Sequence, residues 1–206
     1  MGLTYQLAVS LTKFIAGNFF YLQIHGRENM VHDGAALLAM NHQSFLDPPL
    51  AAACCDQEIH FLARKSLFNV PVLGRILRNL NVIGVERDGA DMSALKNVIR
   101  ILKAGGRTII FPEGTRTRDG RLAPAQAGLG LVIAKTLVPV VPIRIFGAFD
   151  AFPRTAKFPR RRRISMVIGQ PLRFTQGNLA GDPRVVYQRL SDEVMARIAS
   201  LQLPGC

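Results

Sequence analysis

The chain has 206 residues, enough to bury a core without disulfides or a structural metal, and a length that favours one domain. Its three cysteines, Cys54 and Cys55 side by side and Cys206 last, form no framework of pairs and no CxxC metal spacing, which points to a reducing compartment. A net charge of +12 calls for an anionic partner, and with no tryptophan and three tyrosines to stack bases, nucleic acid is the disfavoured one.

Residues 3–22 are largely apolar, with Gln6, Ser10 and Lys13 on one helical stripe. The stretch is long enough to cross a bilayer, but a central lysine is costly there, and it lacks a basic leading region and a small-residue cleavage site. An amphipathic helix lying in a membrane interface, with Leu7, Phe14, Ile15 and Phe19 in the acyl boundary, fits this pattern. A helix packed on the domain is the plain alternative. Residues 20–24 read as a first strand, 26–34 as a loop, and 35–40 as a short buried strand. That strand delivers His42 at its C-terminal end, where open α/β sheets present their sites.

Beyond it the pattern alternates: a helix opening at 48–53, a strand at 59–63, a helix at 71–77, a strand at 82–85 and a helix at 91–103 ended by Gly105-Gly106. A strand at 108–111, a helix at 128–136, strands at 140–146 and 164–168, and a final helix at 183–201 complete the order. This predicts an α/β fold, a mixed and mostly parallel sheet flanked by helices. Cys54 and Cys55, in the apolar run 50–55, read as small core residues.

The chemistry gathers in the turns after these strands. His42 and Asp47 lie five residues apart in Asn41-His42-Gln43-Ser44-Phe45-Leu46-Asp47, a spacing that suits a general base and its orienting carboxylate. Ser44, two residues from His42, suits hydrogen bonds to the turn's backbone better than nucleophilic work. Arg87 follows the strand at 82–85, and Glu113-Gly114-Thr115-Arg116 follows the strand at 108–111. Arg87 and Arg116 are permanently charged, planar donors suited to a phosphate. Residues 160–163, all arginine, form the densest charge run. It reads as a solvated loop, or as a surface for anionic lipid headgroups or another anionic partner.

In that order these residues resemble the glycerolipid acyltransferases, whose best-known members are the 1-acylglycerol-3-phosphate acyltransferases. The resemblance covers residues 26–147. His42 and Asp47 match the first block, Arg87 the second, Phe111-Pro112-Glu113-Gly114-Thr115-Arg116 the third and residues 138–142 the fourth. Two positions depart: Asn81 stands where the second block usually opens on glycine, and Gln126 where many members carry lysine.

The amphipathic pattern makes residues 1–25 a membrane-associated segment, and the resemblance implies an acyltransferase domain at 26–206, with its motif core at 35–147. It implies transfer of a fatty acyl group from acyl-CoA or acyl-ACP to the free hydroxyl of 1-acyl-sn-glycerol 3-phosphate, giving phosphatidic acid, with no permanently bound cofactor or metal. A lyso-ornithine lipid, another lysophospholipid or glycerol 3-phosphate would suit the same motifs as acceptor. A non-catalytic module binding anionic lipid is the alternative of another class, but it gains little from a base and its orienter. In the family reading Arg87 and Arg116 hold the acceptor's phosphate, Glu113 orients arginine or glycerol backbone, Gly114 lets the chain turn and Thr115 offers a hydrogen bond. The expected partners are a lysophospholipid, an acyl thioester donor (acyl carrier protein among them) and an anionic membrane surface, with no nucleic acid. The expected place is the cytoplasmic face of a membrane, peripheral or monotopic.

Overall fold

The computed structural model describes residues 2–78, 80–85 and 92–205. Its elements run α1 (Leu3–Phe19), β1 (Gln23–His25), β2 (Ala36–Met40), α2 (Asp47–Cys54), β3 (Phe61–Arg64), α3 (Pro71–Arg78) and β4 (Val82–Val85). They continue α4 (Met92–Lys103), β5 (Arg107–Ile110), α5 (Ala127–Thr136), β6 (Val140–Phe146), α6 (Ala148–Ala151), β7 (Ser165–Ile168) and α7 (Pro183–Ser200).

Strand β2 reads as a continuous apolar run because both of its faces are covered, and all five of its residues are buried. Ala36, Leu38 and Met40 point into one core, shared with α1, α2 and β7 residues such as Ala16, Leu50 and Met166. Leu37 and Ala39 point into the other, shared with Val98 of α4, Leu129 and Val132 of α5, and Leu190 and Val194 of α7. The period of two along the strand thus divides the protein into two apolar layers. Leu37 and Leu38 are wholly buried, each worth about 1.5–3 kcal/mol of transfer free energy. Helices α5 and α7 cross so closely that a Cβ on Gly130 would lie 1.8 Å from the Tyr187 carbonyl oxygen.

The main sheet has the order β1-β7-β6-β2-β5, with β5, β2 and β6 mutually parallel and only β6 against β7 antiparallel. Strands β3 and β4 pair in parallel beside it. His60 joins the two sheets, donating its backbone N–H to Arg107 at 2.9 Å and accepting from Ile109 at 3.0 Å. Strands β2 to β6 therefore all direct their C-terminal ends to one edge, and the turns that follow them converge there.

Several boundaries differ from the sequence expectation for local reasons. The first strand opens at Gln23, because Tyr21 takes a positive φ of 48° between α1 and β1. Phe111, expected inside β5, lies just past its end at Ile110, and α2 opens at Asp47 with prolines in its first turn. The short α6 was not expected; Gly147, at φ 77°, turns the chain into it where a Cβ would strike the Arg163 carbonyl. Cys54 and Cys55 are buried, as their apolar run predicted.

Helix α1 is neither detached nor fully covered. Tyr5, Ala16 and Phe20 enter the core, and the Tyr5 hydroxyl accepts from the Ile59 N–H at 3.1 Å. Leu3, Leu7, Leu11 and Phe14 on the opposite side are each at least 60 % exposed. Among the described residues no helix is long and apolar enough to cross a membrane.

Candidate functional site

At the end of β2 the side chain of Asn41 continues the ladder that the backbone abandons. Its Nδ2 donates to the Ile145 carbonyl at 3.1 Å and its Oδ1 accepts from the Ile145 N–H at 2.8 Å, which ties the outgoing chain to β6. The chain then turns sharply around the Asp47 carboxylate. Asp47 Oδ2 accepts from the backbone N–H of Gln43 at 2.6 Å, from that of Ser44 at 2.7 Å, and meets His42 Nδ1 at 2.8 Å. With this carboxylate as the common acceptor, the network assigns the His42 proton to Nδ1 and leaves Nε2 as the lone-pair nitrogen.

Asp47 is fully buried, and that burial pushes its carboxyl above the ordinary range against the pull of His42 and the two amides. The His42 ring is 17 % exposed and stacks on Phe111, with centroids 3.8 Å apart and planes 13° apart. An imidazole clamped on one side by an aromatic face and at one nitrogen by a carboxylate can take a proton only at the other nitrogen.

Because β5 lies parallel to β2, with Ala39 opposite Ile110, the turn after β5 meets the turn after β2. Thr117 donates its N–H to the His42 carbonyl at 2.9 Å, and Glu113 Oε1 accepts from the His42 N–H at 3.4 Å. Gly114 takes φ 69°, and a Cβ there would also press on Gln126 Cγ at 3.3 Å, so both backbone and space favour glycine. Gln126, standing where relatives often carry lysine, donates its N–H to the Pro112 carbonyl at 2.8 Å and precedes α5. Thr115 is exposed at the tip of the turn.

The Arg116 guanidinium lies 3.4 Å from the centroid of the Phe45 ring. Its pKa is drawn down first by burial, then by the positive charges of Arg154 and Arg64. Ser44 is wholly enclosed, donating its hydroxyl to the Phe152 carbonyl at 2.8 Å and accepting from the Leu46 N–H at 3.1 Å. It is a fastener of the turn, as the sequence suggested.

The structure thus brings His42, Asp47, Glu113, Gly114 and Arg116 together from two turns. Arg87, the remaining arginine of the sequence reading, lies outside the described residues. Phe111 under the His42 ring, and the charges of Arg64 and Arg154 acting on Arg116, were not anticipated. Arg64 closes β3, whose parallel run to this edge was the available signal, whereas Arg154 follows the unexpected α6. Among the described residues, Asp47 Oδ1, Glu113 Oε2, Gln43 Oε1 and Arg116 Nη1 are buried without a hydrogen-bond partner. Polar atoms in that condition are costly unless a ligand completes them.

Glu113 is 4 % exposed, and burial is the main cause that raises its pKa from 4.5 to about 7, with the nearby Asp47 charge adding to it. The folded carboxyl therefore holds its proton where the unfolded chain has already lost it. Stability contributed by the protonated form declines as pH rises through the window from 4.5 to about 7, by an amount on the order of 3 kcal/mol. Glu113→Gln is expected to remove that dependence. Denaturant unfolding from pH 5 to pH 8 checks it: the advantage of the variant over the wild type should grow across the window and then level off.

Comparison with known proteins gives the family and the fold. A family model described as Acyltransferase matches residues 21–146, which holds every residue named above except Phe152 and Arg154. The chain is 31 % identical over 168 residues to a chloroplast 1-acyl-sn-glycerol-3-phosphate acyltransferase of Brassica napus, across 80 % of this chain and 48 % of that protein. It is 26 % identical over 169 residues to the 1-acyl-sn-glycerol-3-phosphate acyltransferase of Bacillus subtilis, across 82 % of each. The chain spans about half the length of the chloroplast relatives. In fold it is similar to the crystal structure of the 1-acyl-sn-glycerophosphate acyltransferase PlsC from Thermotoga maritima, with a TM-score of 0.73 at 24 % identity, covering 96 % of this chain and 82 % of that one. On the extent of the family match, more than half of its length, the chain belongs to the acyltransferase family.

Proposed function

We propose that the protein transfers a fatty acyl group from a thioester to the free hydroxyl of 1-acyl-sn-glycerol 3-phosphate, forming phosphatidic acid. The observation that carries this reading is the His42–Asp47 pair at 2.8 Å with the unpartnered Arg116 Nη1 in the adjoining turn. His42 Nε2 takes the hydroxyl proton as the acceptor oxygen bonds to the thioester carbonyl carbon, and Asp47 stabilises the imidazolium that forms. The tetrahedral intermediate then expels the thiolate, which recovers the proton from His42, so that ester and free thiol leave together. Direct transfer asks nothing of Ser44, whose hydroxyl is committed to the backbone.

Arg116 receives the acceptor's phosphate, and Glu113, beside the same turn, hydrogen-bonds the glycerol backbone. Arg116→Ala is expected to raise the KM for the phosphorylated acceptor by roughly tenfold or more, as loss of a charge-assisted hydrogen bond would. An unchanged acceptor KM would remove Arg116 from that role. The activity itself is tested by incubating purified protein with long-chain acyl-CoA or acyl-ACP and 1-acyl-sn-glycerol 3-phosphate, following free thiol and phosphatidic acid. Silence with both donors, and with other lysolipids and glycerol 3-phosphate, would defeat the proposal.

Residues 26–206 form the acyltransferase domain in this reading, and residues 1–25 its membrane-facing segment. Leu3, Leu7, Leu11, Phe14, Ile15 and Phe19 make an exposed apolar stripe along α1. The arginines at 160–163 adjoin its far end: Ile164 donates its N–H to the Phe20 carbonyl at 3.0 Å, and Arg161 lies over the Tyr21 ring at 4.7 Å. An apolar stripe beside a basic run suits peripheral binding to anionic lipid, with each arginine adding about 1 kcal/mol near the surface. The double substitution Leu7→Glu, Phe14→Glu should abolish flotation with anionic liposomes while leaving thermal unfolding near the wild-type temperature. Equal recovery of the two proteins would rule α1 out as the anchor.

A further inference from the structure

A second basic feature lies beside the proposed site. Arg118, Phe149, Pro153, Arg154 and Thr155 line a cavity of about 280 Å³. It is joined to the catalytic turn at two points. Gln43 Nε2 donates to the Gly120 carbonyl at 3.1 Å, and a Cβ on Gly120 would lie 3.1 Å from the Phe149 ring, so the ring packs directly on this loop. Ser44 Oγ donates to the carbonyl of Phe152, the residue before Pro153. The Phe152 ring meets the Phe45 ring at 5.6 Å, and Phe45 in turn covers Arg116. Arg116, one aromatic layer inward, feels the Arg154 charge as a repulsion.

The two substrates of the proposed reaction carry their phosphates at very different distances from the reacting atoms. In the acceptor, the phosphate is on the carbon next to the reacting hydroxyl's own, so its anion site must sit close to His42, as Arg116 does. In a coenzyme A thioester the phosphates lie at the far end of the pantetheine arm, so their anion site must lie outside the reacting centre. The cavity lies outside the His42 turn, is lined by two arginines and has an aromatic wall, a combination suited to a nucleotide diphosphate. A carrier protein would instead present a convex acidic surface to a broad basic one.

Building on the proposed acyl transfer, we infer that the Arg118–Arg154 cavity binds the phosphates of a coenzyme A thioester donor. Neither arginine takes part in the proton transfer proposed for His42, and both are exposed, so their replacement leaves the core untouched.

The test uses the full chain and the double variant Arg118→Ala, Arg154→Ala, with circular dichroism to confirm folding. Initial rates are measured with acyl-CoA and with the matching acyl-pantetheine thioester, which lacks every phosphate. The ratio of kcat/KM for acyl-CoA to that for acyl-pantetheine should fall roughly tenfold or more in the variant, the loss falling on the donor KM. Calorimetric titration with free CoA should show binding to the wild type and to His42→Ala, and its loss in the double variant. An unchanged ratio, a rise confined to the acceptor KM, or turnover of acyl-ACP with no binding of CoA would each overturn the inference. Binding of CoA that depends on the two arginines, in a protein that transfers no acyl group, would uphold the cavity and defeat the proposed function instead.

Discussion

His42→Ala is expected to slow acyl transfer by roughly 10²–10⁴-fold, the usual contribution of a positioned general base. The geometry makes this a clean substitution. The His42 ring is partly exposed and contributes one contact to Asp47, whose Oδ2 would still accept from the Gln43 and Ser44 amides, so the turn survives without it. What disappears is the nitrogen to which the proposed mechanism delivers the acceptor's proton. Alanine also uncovers the face of Phe111, a small loss of packing beside a large loss of rate. Steady-state release of free thiol, with liposome flotation as a parallel readout, separates the two. Flotation should be unchanged, and a rate within a few-fold of the wild type would sink the base assignment even if the activity were right.

Asp47 is expected to show two different losses depending on the replacement. Asp47→Ala leaves the Gln43 and Ser44 N–H groups without their acceptor, and unsatisfied buried donors cost about 1–3 kcal/mol each. Their sum is a large part of the stability of a typical domain, about 5–15 kcal/mol, so partial unfolding near physiological temperature is the anticipated phenotype. Asp47→Asn keeps an oxygen for the two amides but turns a donor or a neutral acceptor toward His42 Nδ1. The tautomer is then no longer held, and the imidazolium of the transition state loses its counter-charge. A rate loss of roughly 10²–10⁴-fold with a near-native denaturant midpoint is the expected result. Were the asparagine variant fully active, Asp47 would be a cap for the turn and nothing more. Were the alanine variant as stable as the wild type, the capping account would fail.

Much of the site could be read directly because its central contacts are local. His42 and Asp47 are joined within one turn, and the turn is closed by amides one and two residues beyond His42. Spacing alone is informative at that range. Ser44 could be set aside for the same reason, since a hydroxyl two residues from the base bonds the turn it sits in. Phe111 was misplaced in the strand, because an aromatic residue at the end of a β-rich run fits either the ladder or the turn. Only the parallel pairing of β5 with β2, which puts its ring under His42, distinguishes them. Arg64 and Arg154 were passed over because neither is near His42 in sequence: the one signal for Arg64 was the parallel course of β3, and Arg154 follows the unexpected α6.

By itself the sequence determined the alternation of helices and strands, the burial of β2, the His42–Asp47 pair and the family. Each depends on periodicity or on hydrogen bonds between near neighbours, which the chain order expresses directly. Tertiary structure decided what surrounds that pair. Parallel pairing across long separations set Glu113 and Arg116 against the histidine turn and raised the Glu113 pKa by burying it. Packing of distant segments also brought the Arg154 charge to bear on Arg116, and it left one face of α1 in the core with the other bare. Such contacts arise from which strand lies beside which, and that is a property of the packed sheet, not of any segment within it.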